Sequence, residues 1–112
     1  MTYDVRVLRP ASRFIDEMDT KLKARVYWVI GLLNEMGPFI SEPYSKKITN
    51  HKGLYELRIQ SGKLGCRLFY FHSGQKVYVV TSGFMKKQQK TPPKEIERAV
   101  ALMKQYEEEN HD

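Results

Sequence analysis

The 112-residue chain has one cysteine, Cys66. A single thiol excludes an intramolecular disulfide framework and a cysteine zinc site, and the expected compartment is a reducing cytoplasm. Strongly apolar runs stay under ten residues, too short for the roughly 20 apolar residues of a bilayer-spanning helix. The opening MTYDVRVLRP lacks the charged, then apolar, then small pattern of a secretory leader, so none is expected. The phosphate-cradling loop GxxxxGK[ST] is absent, as is a nucleophile elbow. His51, His72 and His111 have no ligand-like spacing to one another or to carboxylates, so neither a metal site nor a cofactor is expected.

Acidic residues are scarce in the middle of the chain. Residues 44–94 hold eleven Lys/Arg against Glu56 alone, a balance of +10. Residues 1–43 cancel at six of each sign, and residues 95–112 carry two Lys/Arg against six Asp/Glu, or −4. A basic centre between a neutral start and an acidic end suits a polyanion partner; the plainer alternative is a basic domain with solvated loop lysines. Hydrophobic residues at 41% and charged residues at 29% suit a globular protein rather than a disordered tail, and the length fits one domain over residues 1–112.

Periodicity predicts the order β-α-α-β-β-β-α. Tyr3, Val5 and Val7 alternate with Asp4 and Arg6 as a half-buried strand, which Pro10 ends. Residues 11–18 suit a short helix. Asp19 or Thr20 then caps a helix to about Met36, with an apolar stripe of Leu22, Val26, Val29, Ile30, Leu33 and Met36. Tyr27, Trp28 and Leu32 widen that stripe, and Trp28 is expected in the core. Gly37-Pro38 stops the helix. Residues 39–53 show no period and are expected as a loop carrying Lys46, Lys47, His51 and Lys52. Residues 54–60, 66–72 and 76–84 are strands joined by turns at 61–65 and 73–75, an antiparallel meander. After a basic loop, Thr91 caps a last helix with Pro92 at its first position. Its stripe is Ile96, Ala99, Val100, Met103 and Tyr106, and Glu107–Glu109 at its end predict fraying. The expected fold class is α+β: an N-terminal strand and helical hairpin on a mainly antiparallel four-stranded sheet, with a C-terminal helix.

A turn centred on residues 62–63 sets Arg58 opposite Arg67. Two facing guanidiniums repel unless an anion lies between them, and their forks suit phosphate; the alternative is that Glu56 pairs with one of them. Lys86, Lys87 and Lys90 follow the third meander strand, at a sheet end where sites are commonly built. Lys46, Lys47 and Lys52 precede the first, at the opposite end, and reach the others only if their loop curls over the sheet. Phe84 and Tyr70 are candidates for stacking on bases. Tyr55, Phe69, Phe71 and Tyr78 read as core, and Cys66 as a buried small hydrophobe.

The runs Gly53-Leu-Tyr-Glu-Leu-Arg58, Cys66-Arg-Leu-Phe-Tyr70, Ser82-Gly-Phe-Met-Lys-Lys87, Lys90-Thr-Pro92 and Glu95-Ile96 through Ala99 resemble the RelE/ParE toxin superfamily. Within it they look most like the HigB-type, phage-related branch, over about residues 46–106. The resemblance implies a RelE-like fold and a cytoplasmic toxin of a type II toxin–antitoxin system. Such a toxin is an endoribonuclease (mRNA interferase) that cuts mRNA, usually on the ribosome, without a metal, and so inhibits translation. It implies a cognate antitoxin, often a helix-turn-helix protein from the adjacent gene, through which alone operator DNA is reached. By position, Arg58, Arg67, Lys86 and Lys87 are the implied catalytic residues, with Tyr70 a further candidate for proton transfer. Lys47 and Lys90 fall on implied RNA-binding positions, to which the reading of the residues themselves adds Lys46, Lys52 and Phe84. Relatives commonly carry His-Gly-Phe before the lysines, and here that histidine position is Ser82. Two alternatives stay open: a ParE-like toxin acting on DNA gyrase by protein contact, and an RNA-binding module that does not cleave.

Overall fold

The computed structural model describes residues 2–110; His111 lies outside them. Strand β1 (Asp4–Val7) leads into helices α1 (Arg9–Asp16) and α2 (Thr20–Met36). A 3-10 turn over Gly37–Phe39 and strand β2 (Ser45–Lys47) follow, then the meander β3 (Leu54–Ser61), β4 (Leu64–Ser73) and β5 (Val77–Met85), and helix α3 (Pro93–Glu109). The sheet has five strands in the order β1-β5-β4-β3-β2. Among the described residues only the β1–β5 pair is parallel; the other pairs are antiparallel. The expected α+β architecture is therefore present with one strand more than expected. The extra strand is β2, inside the segment expected as loop. Ser-Lys-Lys carries no apolar alternation, and its extended shape is imposed by backbone pairing with Tyr55–Leu57.

Side chains alternate between the two faces of the sheet. Leu57 and Ile59 of β3, with Cys66, Leu68 and Tyr70 of β4, pack on Ala11, Ile15, Leu22, Val26, Val29 and Leu33 of the helical hairpin. Leu54 and Phe69 pack on Ala99 of α3, and Phe71 and Val79 on its Tyr106. The residues between these sets, Glu56, Arg58 and Arg67, therefore belong to the α3 face. Helix α3 covers that face along the Leu54–Phe71 end and leaves the Arg58 end uncapped. This division of cover positions the site.

Several local expectations need correction. Pro10 lies in the first turn of α1, where its missing N–H removes no helical bond, so α1 begins before residue 11. Asp19 caps α2 as expected, accepting the Leu22 N–H at 2.9 Å. Trp28 is not core but 46% exposed, beside Tyr27 at 53%. At about 100° per residue it stands about 200° round the helix from Val26, on the side away from the stripe. Met36, the stripe's last member, is also exposed. Gly37 ends α2 at φ +52°, and an added Cβ would sit 2.5 Å from the Tyr3 ring. Thr91 does not cap α3. Pro92 holds that position and Pro93 begins the helix, because the Thr91 hydroxyl is turned onto the sheet, as described below. The end of α3 does not fray within the described residues: Asn110 closes it, donating from Nδ2 to the Tyr106 carbonyl at 2.9 Å.

Gly83 in β5 is a tight contact. A Cβ there would meet Leu68 Cδ2 at 2.5 Å and the Phe14 ring at 2.7 Å. Overpacking of this kind costs about 1–3 kcal/mol. Gly83→Ala is expected to lower the urea midpoint accordingly, and paired substitution with Phe14→Leu, which clears the ring, should recover part of the loss.

Candidate functional site

Strands β3 and β4 join through a two-residue turn at Gly62-Lys63, with Gly62 at φ +59°, a conformation glycine adopts without strain. That turn sets the register, and Arg58 and Arg67 are direct cross-strand partners. Their mutual repulsion is relieved from within the protein. Glu56 is 2% exposed. Its Oε1 accepts from Arg67 Nη1 at 2.8 Å and from Arg58 Nε at 3.1 Å, and its Oε2 accepts from the Thr91 hydroxyl at 3.0 Å. Glu56 thus pairs with both arginines, where the sequence suggested one. Among the described residues no buried side-chain nitrogen or oxygen lacks a hydrogen-bond partner. A buried carboxylate with this set of donors is the condition under which a charge is tolerated away from water.

One carboxylate against two guanidiniums leaves a net positive charge. The cluster is open on one side: a cavity of about 320 Å³ is bordered by Arg58, Gln60, Arg67 and Lys86, and also by Arg25 and Val29 of α2, Pro43, Tyr44 and Ile59. Lys86 is fixed at this end of the sheet because its N–H donates to the Gly65 carbonyl at 2.9 Å, extending the β4–β5 ladder. The arrangement can take up an anion at two guanidiniums already set side by side.

The other expected residues divide by place. Phe84 is the β5 partner of Arg67 and stacks on Phe69, ring centroids 5.7 Å apart. It lines a second cavity, of about 470 Å³, with Lys87 and Pro92. Lys46 pairs with Glu56 across β2–β3 and so shares the arginine face. Lys47 pairs with Tyr55, on the hairpin face. Lys52 lies past the far end of β3 and borders a separate cavity of about 470 Å³ with Lys47. Lys90 is exposed. Lys52 does not reach the lysines after β5, since most of the length of β3 lies between them, whereas Lys46 stands beside Glu56. Ser82, which the resemblance sets at a histidine position, is 1% exposed, and its hydroxyl lies 3.2 Å from that of Thr81. Among the described residues no three His, Cys, Asp or Glu side chains gather as they would around a metal ion, and no helix is long and apolar enough to cross a membrane.

Tyr70 is not brought to the arginines. It sits on the hairpin face, 3% exposed, with its hydroxyl bonded to Ser45 at 2.5 Å and its ring stacked on Tyr55. Burial pushes its phenol up to about 12. Neither proton transfer to a substrate nor base stacking is open to it, and the expectation of both is corrected. Its buried neighbour Cys66 has its thiol pushed up to about 12, burial outweighing the adjacent Arg67. Both groups keep their protons in the folded state after the unfolded chain has begun to lose them. Their contribution is complete below the unfolded pKa, 9.0 for Cys66 and 10.0 for Tyr70, and falls as pH rises towards 12. For Cys66 the full effect is about 4 kcal/mol. Urea midpoints taken between pH 8.5 and 10, where the thiol acts before the phenol, should fall less steeply for Cys66→Ala than for the wild type.

Residues 13–104 match the family described as phage derived protein Gp49-like (DUF891). The chain belongs to the Gp49-like family. Every residue of the arginine cluster lies inside the matched span. Among solved structures, this Gp49-like chain is similar to a free-state arginine-to-alanine double mutant of the E. coli toxin RelE, with 18% identity, a TM-score of 0.63, and coverage of 94% of this chain and 98% of that one. It is also similar to the archaeal RelE of the RelE–RelB complex from Pyrococcus horikoshii OT3, with 19% identity, a TM-score of 0.60, and coverage of 80% and 100%. None of the curated proteins matches. The Gp49-like chain therefore has the RelE fold, C-terminal helix included.

Sequence reasoning reached Arg58, Arg67 and Lys86 and raised Glu56 as a partner for one arginine, but not for both. Glu56 carried a signal, as the one acidic residue of the basic segment. Thr91, Arg25 and Tyr44 carried none, because the packing of α2 and of the loop before α3 brings them here.

Proposed function

We propose that this Gp49-like protein is the toxin of a type II toxin–antitoxin pair of the HigB-like branch, an endoribonuclease that cuts mRNA without a metal. The observation that carries the reading is the Arg58–Arg67 pair, set side by side by strand register and bordering one cavity with Lys86. In the cleavage step the substrate's 2′-OH attacks the adjacent phosphorus, passing its proton to solvent water, and the P–O5′ bond breaks, leaving a 2′,3′-cyclic phosphate and a 5′-hydroxyl. Arg58 and Arg67 hold the non-bridging oxygens, where charge builds as the fifth bond forms. Lys86 delivers a proton towards the departing 5′-oxygen. Phe84, Lys46 and Lys87 extend the contact to flanking nucleotides, with Lys47, Lys52 and Lys90 further out. The partner that silences such a toxin is an antitoxin covering this basic surface with acidic residues or a helix, and the substrate is mRNA in the cytoplasm, engaged on the ribosome.

Inducing the wild-type chain in a bacterial host that lacks an antitoxin tests the reading. Growth should slow, and new mRNA 5′ ends should accumulate within translated regions. Gyrase-linked DNA breaks without RNA fragments would instead mark a ParE-like action. Salt-dependent RNA binding with intact transcripts would mark a non-cleaving module.

A further inference from the structure

The Arg58–Arg67 cavity has a wall that phosphate contact leaves unexplained. Arg25 and Tyr44 border it as well, brought there from α2 and from the loop before β2. Behind them stands Trp28. Its ring lies edge-on to Tyr44, centroids 5.5 Å apart, and the Arg25 guanidinium carbon sits 4.3 Å from its centroid. Tyr44 is tied to the arginine strand directly, its carbonyl accepting the Arg58 N–H at 2.8 Å. A tryptophan that is 46% exposed and braces both a guanidinium and a phenol is a rigid platform, not a core residue left outside.

We infer that Arg25 and Tyr44 form a stacking shelf for one unpaired nucleobase of single-stranded RNA, next to the phosphate held by Arg58 and Arg67, with Trp28 as the positioning residue behind them. Guanidinium planes and aromatic rings are the groups on which splayed-out bases stack. Arg25 has one face on Trp28, which leaves the other for a base. Strand backbone ties the shelf to Arg58, so it fixes where along the RNA the phosphate falls. The inference rests on the nuclease reading for the identity of the ligand.

Trp28 is the chain's one tryptophan, so its fluorescence reports this wall without labelling. The probes are a 2′-O-methyl RNA hexamer, which has no free 2′-OH and is not cut, and the same backbone made abasic, both titrated at one salt concentration. The hexamer with bases should quench Trp28 and bind about ten- to a hundredfold more tightly than the abasic strand, the range of one stacked base. Arg25→Gln, at an exposed helix position, and Tyr44→Leu should each remove most of that preference. Equal binding of both strands, or a preference that survives both substitutions, overturns the shelf and leaves the nuclease reading standing. Failure of both strands to bind overturns the two together.

Discussion

Replacing Glu56 with alanine is expected to lower the melting temperature by about 10 to 25 °C. Removing one partner of a buried ion pair costs about 3–5 kcal/mol, because the remaining charge is left without compensation, and each kcal/mol moves a domain of this size by several degrees. The geometry puts Glu56 at the upper part of that range. Arg67 keeps only 7% of its side chain exposed, so water does not replace the carboxylate. Arg58, at 29%, is partly rehydrated and contributes less. The Thr91 hydroxyl loses its acceptor as well, which releases the loop between β5 and α3 from the sheet. Glu56→Gln should fall between alanine and wild type: an amide oxygen can still accept from Arg67, but one negative charge between two positive ones is gone. The same charge removal should tighten binding of a short oligonucleotide, so stability and anion affinity are expected to move in opposite directions. Thermal unfolding followed by circular dichroism gives the first quantity and fluorescence titration the second. A Glu56→Ala protein that melts with the wild type would mean that the repulsion of the arginines is offset by something other than this carboxylate.

The parts of this site that could be read beforehand are those fixed by local geometry. A glycine-bearing turn at residues 62–63 determines strand pairing, and pairing puts Arg58 across from Arg67. Parity was equally available for Tyr70. It stands three residues from Arg67 in one strand, so alternation alone sends it to the other face; the aromatic run around it drew attention to type over position. The third strand and the last helix were legible because their apolar periods are long. Strand β2 was not, since three polar residues become a strand only when β3 offers its edge. Trp28 shows the limit of reading hydrophobicity as burial. The stripe of α2 is complete without it, and a helix on a sheet buries one side only. What brings Arg25 and Tyr44 to the arginines is the way α2 packs on β3, a contact distant in sequence with no local signature.

Arg67→Ala should reduce the rate of RNA cleavage by about 10² to 10³, the loss typical of one preorganised donor facing transition-state charge. The difficulty is that Arg67 is also structural, and a merely unfolded variant would lose activity too. The network supplies a way to separate the two. Arg67→Ala leaves Glu56 buried with Arg58 and Thr91 as its remaining donors, so it should be destabilised. Changing Glu56 and Arg67 together to leucine removes both charges, and well-packed apolar replacements of a buried pair are often neutral in stability. The double variant is therefore expected to regain most of the melting temperature and none of the activity. Arg67→Lys is the complementary case. One ammonium has to serve as the donor to Glu56, and it lacks the second arm that a guanidinium turns to the phosphate. It should keep much of the stability and lose most of the single-turnover rate on an oligoribonucleotide. Cleavage at the wild-type rate by the folded double variant would show that Arg67 braces the sheet and that the chemistry is carried by Arg58 and Lys86 without it.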